Sequence, residues 1–148
     1  MPATFLPATA ADIDIVIAFM ARLYHYGDWD EARARRALDD LIAHPEFGGT
    51  WLIHHEGQPV GYVVLTICCS LEFHGRFALL DELFVGEPYR GRGIGAQALD
   101  FARDFCRARG LKAIRLETAW QNSRAIALYR RGGFEVDQRY LMTNWTTR

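Results

Sequence analysis

The chain has 148 residues, 17 Lys+Arg against 18 Asp+Glu, a formal net charge of −1, and half of its residues are hydrophobic. A chain of this size buries roughly 70% of its unfolded surface and needs neither disulfides nor structural metal. The charge balance argues against a protein built to coat nucleic acid or an acidic membrane, since both partners require excess positive charge.

The three cysteines form no CxxC pair and no disulfide framework, and no window approaches the roughly 18 apolar residues of a membrane span. Met1 to Ala11 lacks a basic run followed by an apolar stretch, so a reducing cytoplasm is the expected compartment. A short strand is expected at Thr4 to Pro7. Thr9 then caps a helix, answered by Asp12, with Ile13, Val16, Ile17 and Met20 on its apolar face and its end near Gly27. A second helix is expected over Asp30 to Ala43, stopped by His44-Pro45. Three strand-like runs follow, Thr50 to His55, Val60 to Cys69 and Phe77 to Val85, and their short connections imply antiparallel pairing. After Arg92 the period turns helical up to Gly110. A strand at Lys112 to Thr118, a helix from Asn122-Ser123 to Arg131, and a closing strand through Phe134, Val136, Gln138, Tyr140 and Met142 complete an α/β domain with a mixed sheet.

The stretch from Leu83 to Ala96 carries the chemistry. A strand ends, glycines at positions 91, 93 and 95 free the backbone, and a helix begins at once, so several N–H groups converge at a helix N-terminus. Arg90 and Arg92 add local positive charge suited to phosphate oxygens. Gly91 to Ala96 also satisfies GxGxxA, with Glu117 after the next strand, which is the dinucleotide pattern. That alternative ranks lower. Five residues separate Val85 from Gly91, hairpins precede the motif, and fewer than 60 residues follow it, too few for a doubly wound sheet.

Arg90 through Gly95 resembles the Arg/Gln-x-x-Gly-x-Gly/Ala signature of the GCN5-related N-acetyltransferases (GNAT). Their second hallmark, Asn-x-x-Ala-x-x-Leu-Tyr-x-x-x-Gly-Phe, has its counterpart in Asn122, Ala125, Leu128, Tyr129, Gly133 and Phe134. The resemblance runs from about Leu79 to Val136. It implies a single acyl-CoA N-acyltransferase fold over residues 1–148, a mixed and mostly antiparallel sheet flanked by helices, and acetyl-CoA as co-substrate with an amine as acceptor. By the same resemblance the pyrophosphate would rest on the N–H groups of Arg92, Gly93, Ile94, Gly95 and Ala96. The pantetheine arm would pair with the backbone of Leu83, Phe84 and Val85 like an added strand, and the acetyl carbonyl would meet an N–H at Leu83 or Phe84. A homodimer through C-terminal strands is common in the family and is the expected assembly.

An amine arrives mostly as ammonium at neutral pH, so a carboxylate must take a proton before attack. Asp81 and Glu82 occupy the right segment. In a regular strand only one of the two faces the acceptor cleft, and relatives such as the polyamine acetyltransferases favour Asp81, whereas a strand bulge would present Glu82. Tyr129 suits protonation of the leaving sulfur, or else packs in the core. Asn122 caps its helix, contacts the coenzyme, or both.

His54 and His55 face opposite ways and the other histidines lack ligand spacing, so no metal is expected. Cys68 reads as a buried small hydrophobe. Tyr24, Tyr26, Asp28, Trp29 and Asp30 cluster where the resembled family lines its acceptor site, and either bind a cationic amine or simply pack; Glu72 and Arg76 lie in a second candidate acceptor loop. The alternative to an enzyme is a catalytically silent acyl-CoA-binding or regulatory module.

Overall fold

The computed structural model describes residues 2–25 and 27–147. It divides into two compact units, Met1–Glu117 and Thr118–Arg148. In the first, β1 (Thr4–Pro7), β2 (Gly48–His55), β3 (Gln58–Ser70), β4 (Gly75–Val85) and β5 (Ile114–Leu116) lie side by side in that order. Neighbours pair antiparallel except β4 and β5, which run parallel. The mixed, mostly antiparallel sheet expected from the sequence is therefore present.

Strand alternation sorts the side chains onto two helical layers. Helices α1 (Ile13–Leu23) and α2 (Glu31–Ala43) cover one face, where Val16, Ile17, Met20 and Leu38 pack with Leu52, Tyr62, Val64 and Phe84. On the other face, Ile94 of α3 (Ile94–Arg109) meets Ile53 and Val60, and Trp51 sets its edge against Phe101 and Phe105, each at 5.1 Å. Leu52 thus points one way and its neighbours Trp51 and Ile53 the other, as period two requires. The helix ends follow local chemistry. The Thr9 hydroxyl accepts from Ala11 N–H and Asp12 reaches back to Thr9 N–H, closing the expected capping box. Gly110 ends α3 with φ 65°, in the left-handed region.

The second unit contains α4 (Ser123–Arg131), whose N-cap Asn122 accepts from Ala125 N–H at 3.2 Å. Tyr129 and Phe134 of this unit meet edge to face at 5.9 Å. Two expectations fail here and in the sheet. Residues 134–147 contain no strand: alternation marks two faces, but a strand exists only through its ladder, and Tyr140 and Met142 stay 91% and 88% exposed. Cys68, expected to be buried, is only half-buried.

Candidate acetyl-transfer site

The first unit holds a cavity of about 610 Å³ between α2, the loop before it and strands β2 to β4. Its chemistry begins with an irregularity in β4. The β3–β4 register pairs Val64 with Glu82 and then Leu65 with Leu80, so Asp81 is an extra residue, a β-bulge. The bulge cancels the usual alternation, and Asp81 and Glu82 both line the cavity. Of the two cases the sequence left open, the bulge is the one found, and it brings both carboxylates, not one, to the cavity lining.

The two carboxylates have different surroundings. Glu82 is half-buried, with the Tyr62 phenol donating to Oε1 at 2.6 Å and the Tyr24 phenol to Oε2 at 2.8 Å. Burial pushes its pKa up; the two phenols, which favour the carboxylate, pull it back, and Asp81 nearby adds a smaller upward push. Asp81 is reached by water at the bulge, yet the cavity walls desolvate its carboxyl enough to raise its pKa, with burial as the cause. Tyr62 is fully buried and its pKa is driven far upward, first by burial and then by the Glu82 charge, so it stays a donor.

Tyr24, Asp28, Trp29 and Asp30 line the same cavity, as the sequence suggested, while Tyr26 lies outside the described residues and Glu72 and Arg76 are not in its lining. Tyr62 and Thr50 were missed by sequence reasoning. Tyr62 sits in an apolar run where the only available signal was that a buried phenol needs a partner, which does not say where the partner is.

At the other end of the same strand, Gly86 N–H donates to Val60 O at 2.7 Å, and Arg90 Nε donates to Val85 O at 2.8 Å, which braces the turn. Gly61 makes this close approach possible, since a Cβ there would fall on the Phe84 carbonyl oxygen. Gly91 and Gly93 take φ 75° and 80°, and Gly93 is the N-cap of α3. The first intrahelical bond to reach back runs from Gln97 N–H to Gly93 O at 3.1 Å, so the N–H groups of Ile94, Gly95 and Ala96 lack partners from the helix itself. No side chain caps this end and no acidic residue sits in the first turn. Backbone donors, an open helix N-terminus and two arginines fit a pyrophosphate. The β5 pairing stops at Leu80, so among the described residues no strand pairs with that side of β4 from Asp81 to Val85, which fits an extended amide-bearing arm. Leu83, Phe84 and Val85 lie on that edge, and Arg90 to Ala96 form the turn and helix start beyond it.

In the second unit, Asn122 is the helix cap and Tyr129 is half-buried, with burial raising its pKa.

Comparison with known proteins points the same way. The family model described as "Acetyltransferase (GNAT) family" matches residues 16–134. The IAA acetyltransferase of Azospirillum brasilense is 32% identical over 123 residues, 82% of this chain and 77% of that protein. An integron cassette protein from the mobile metagenome of Cole Harbour Salt Marsh superposes with a TM-score of 0.86 at 30% identity, over 97% of this chain and 91% of that one. A predicted acetyltransferase from Clostridium acetobutylicum, solved with acetyl-CoA, shares the fold with a TM-score of 0.82 at 16% identity, over 96% of each chain. The chain spans only 39% and 58% of the length of two other curated relatives it matches.

Proposed function

Because the chain belongs to the acetyltransferase (GNAT) family, we propose that it moves the acetyl group of acetyl-CoA directly onto an amine held in the β4 cavity. The observation that carries this reading is the bulge at Asp81. It turns two adjacent carboxylates into one cavity, on the strand whose far end opens into the anion cradle. From Glu82 to Val85, where β4 ends and the turn to the cradle begins, is three strand steps, about 10 Å, which suits one extended ligand running from the acids toward the cradle.

Acetyl-CoA supplies an activated thioester. The N–H groups of Ile94 to Ala96, with Arg90 and Arg92, hold its pyrophosphate, and the free edge of β4 pairs with its amide-bearing arm, which leaves a backbone N–H of Leu83 or Phe84 to stabilise charge on the acetyl oxygen. Asp81 is the base. Its raised pKa reflects burial alone, and neither oxygen is committed to a phenol, whereas Glu82 is fixed by two tyrosines and serves to attract and orient the incoming ammonium. Tyr129, whose place in the family motif suggests the role, gives its proton to the leaving sulfur, and burial keeps that proton on the phenol at neutral pH.

Acetyl-CoA at a hundredfold over its Kd should stabilise the chain by about 2.7 kcal/mol, and NAD should not. Free thiol should then appear only when an amine is added. Stabilisation without thiol release from any amine would instead identify a silent acyl-CoA-binding module. Tyr129→Phe should lower kcat while leaving the acetyl-CoA thermal shift in place; an unchanged rate removes Tyr129 from the mechanism.

A further inference from the structure

The cavity carries information about the acceptor beyond its amine. Five of its lining side chains are acids, Asp28, Asp30, Asp40, Asp81 and Glu82, against one base, Arg33. Arg33 Nε is taken up by Asp30 at 3.6 Å, and His44 stands beside Asp40 at 3.2 Å. Among the described residues no cationic side chain pairs with Asp28, Asp81 or Glu82. The acids come from three elements, the loop before α2, α2 itself and the β4 bulge, so they are spread over the cavity rather than gathered at one point.

An independent observation comes from the β2 wall. Thr50 lines the cavity, is only 4% exposed, and its hydroxyl has no hydrogen-bond partner. A buried hydroxyl without a partner costs about 1–3 kcal/mol, and a ligand that bonds to it recovers that cost. Apart from Tyr24 and Thr66, the remaining wall is apolar, formed by Trp29, Leu38, Leu41, Phe47 and Val64 among others.

Resting on the acetyl-transfer reading, the geometry points to a linear aliphatic di- or polyamine as the acceptor. One ammonium meets Asp81 and Glu82 and loses its proton there. A second is held by Asp28, in the loop before α2, and the methylenes between them cover the apolar wall, with Thr50 accepting from an amine N–H. A monoamine leaves Asp28 without a cationic partner. A polyhydroxylated aminosugar sets hydroxyls against Leu38 and Leu41, where they find no partner. An anionic acceptor is repelled. The step balances with two protons lost from nitrogen: Asp81 takes the ammonium proton and passes it to solvent, the free amine forms the amide C–N bond as the C–S bond breaks, and the second nitrogen proton goes to solvent and replaces the one the thiolate takes from solvent or Tyr129.

The test is thiol release by the full chain with 1,4-diaminobutane, spermidine, n-butylamine, neamine and an Nα-blocked lysine amide, the last standing for a peptide acceptor. Both aliphatic polyamines should exceed butylamine at least tenfold in kcat/KM, and Asp28→Asn should bring that ratio toward one. Thr50→Val should raise the diamine's KM several-fold without lowering Tm, because the hydroxyl has no partner within the fold. Equal use of butylamine and diaminobutane, or a preference for neamine or the lysine amide, overturns the inference while acetyl transfer stands. A clear drop in Tm for Thr50→Val overturns the role given to that hydroxyl. No thiol release with any of the five, despite stabilisation by acetyl-CoA, overturns the acetyl-transfer reading itself.

Discussion

The anion cradle at the start of α3 and the acid-lined cavity beside α2 are built by opposite means. The cradle is one continuous stretch, Arg90 to Ala96, whose working parts are backbone N–H groups released by glycines with positive φ. The cavity draws side chains from α1, α2, the loop between them and three strands. Under the proposed function, this backbone site takes the part of the ligand that all members of the family share, the pyrophosphate. A side-chain site assembled from distant segments can change its ligand with a few substitutions, so under the proposed function selectivity for the acceptor belongs there.

That division can be broken by substitution, with the largest effect expected at the cavity. Asp81→Asn should lower kcat about a hundredfold and leave stabilisation by acetyl-CoA intact; a lost thermal shift would mean that the two sites are not separable. The same variant tests linkage. Burial holds the Asp81 pKa above its unfolded value, so the folded chain binds that proton more tightly, and stability falls as pH rises from the unfolded pKa through the folded one. Asn should flatten that stretch of the stability–pH curve, while wild-type kcat/KM declines as pH drops through the raised pKa. A smaller effect is expected at the support of Glu82. Tyr62→Phe removes a donor to a carboxylate and should cost about 2 kcal/mol, read as a fall in Tm together with a raised acceptor KM. An unchanged acceptor KM would reduce Tyr62 to a packing residue. The smallest effect sharpens the cradle. Gly93→Ala meets no atom within 4 Å but places an L side chain at φ 80°, and should cost about 1–2 kcal/mol. Its acetyl-CoA affinity should weaken while the relative preference among amines is retained; a changed preference would show that cradle and cavity are coupled.

Much of this was legible before any fold was known. Thr9 with Asp12, the His44-Pro45 stop, Gly110 and Asn122 each marked a helix end through contacts made within a few residues; the last three stand where expected, and Thr9 caps the 3-10 turn Ala10–Asp12 that leads into α1. The strand pattern was legible for β2, β3 and β4, where one apolar face is pressed on each helical layer. It misled at Phe134 to Met142, because alternation records which faces are apolar and says nothing of whether a neighbour supplies a ladder. The cradle was readable for the same reason as the caps.

Sequence alone determined the local devices: caps, stops, the glycine-freed turn and its two arginines, and through them the family resemblance. Only the tertiary structure decided that Asp81 is a bulge, that Glu82 is shared by Tyr24 and Tyr62, and that Thr50 faces the same cavity without a partner. The physical reason is range. Backbone hydrogen bonds over three or four residues are set by neighbours in the chain, whereas Tyr24 lies 58 residues from Glu82, and a contact at that separation exists only once sheet register and helix packing have brought the two together.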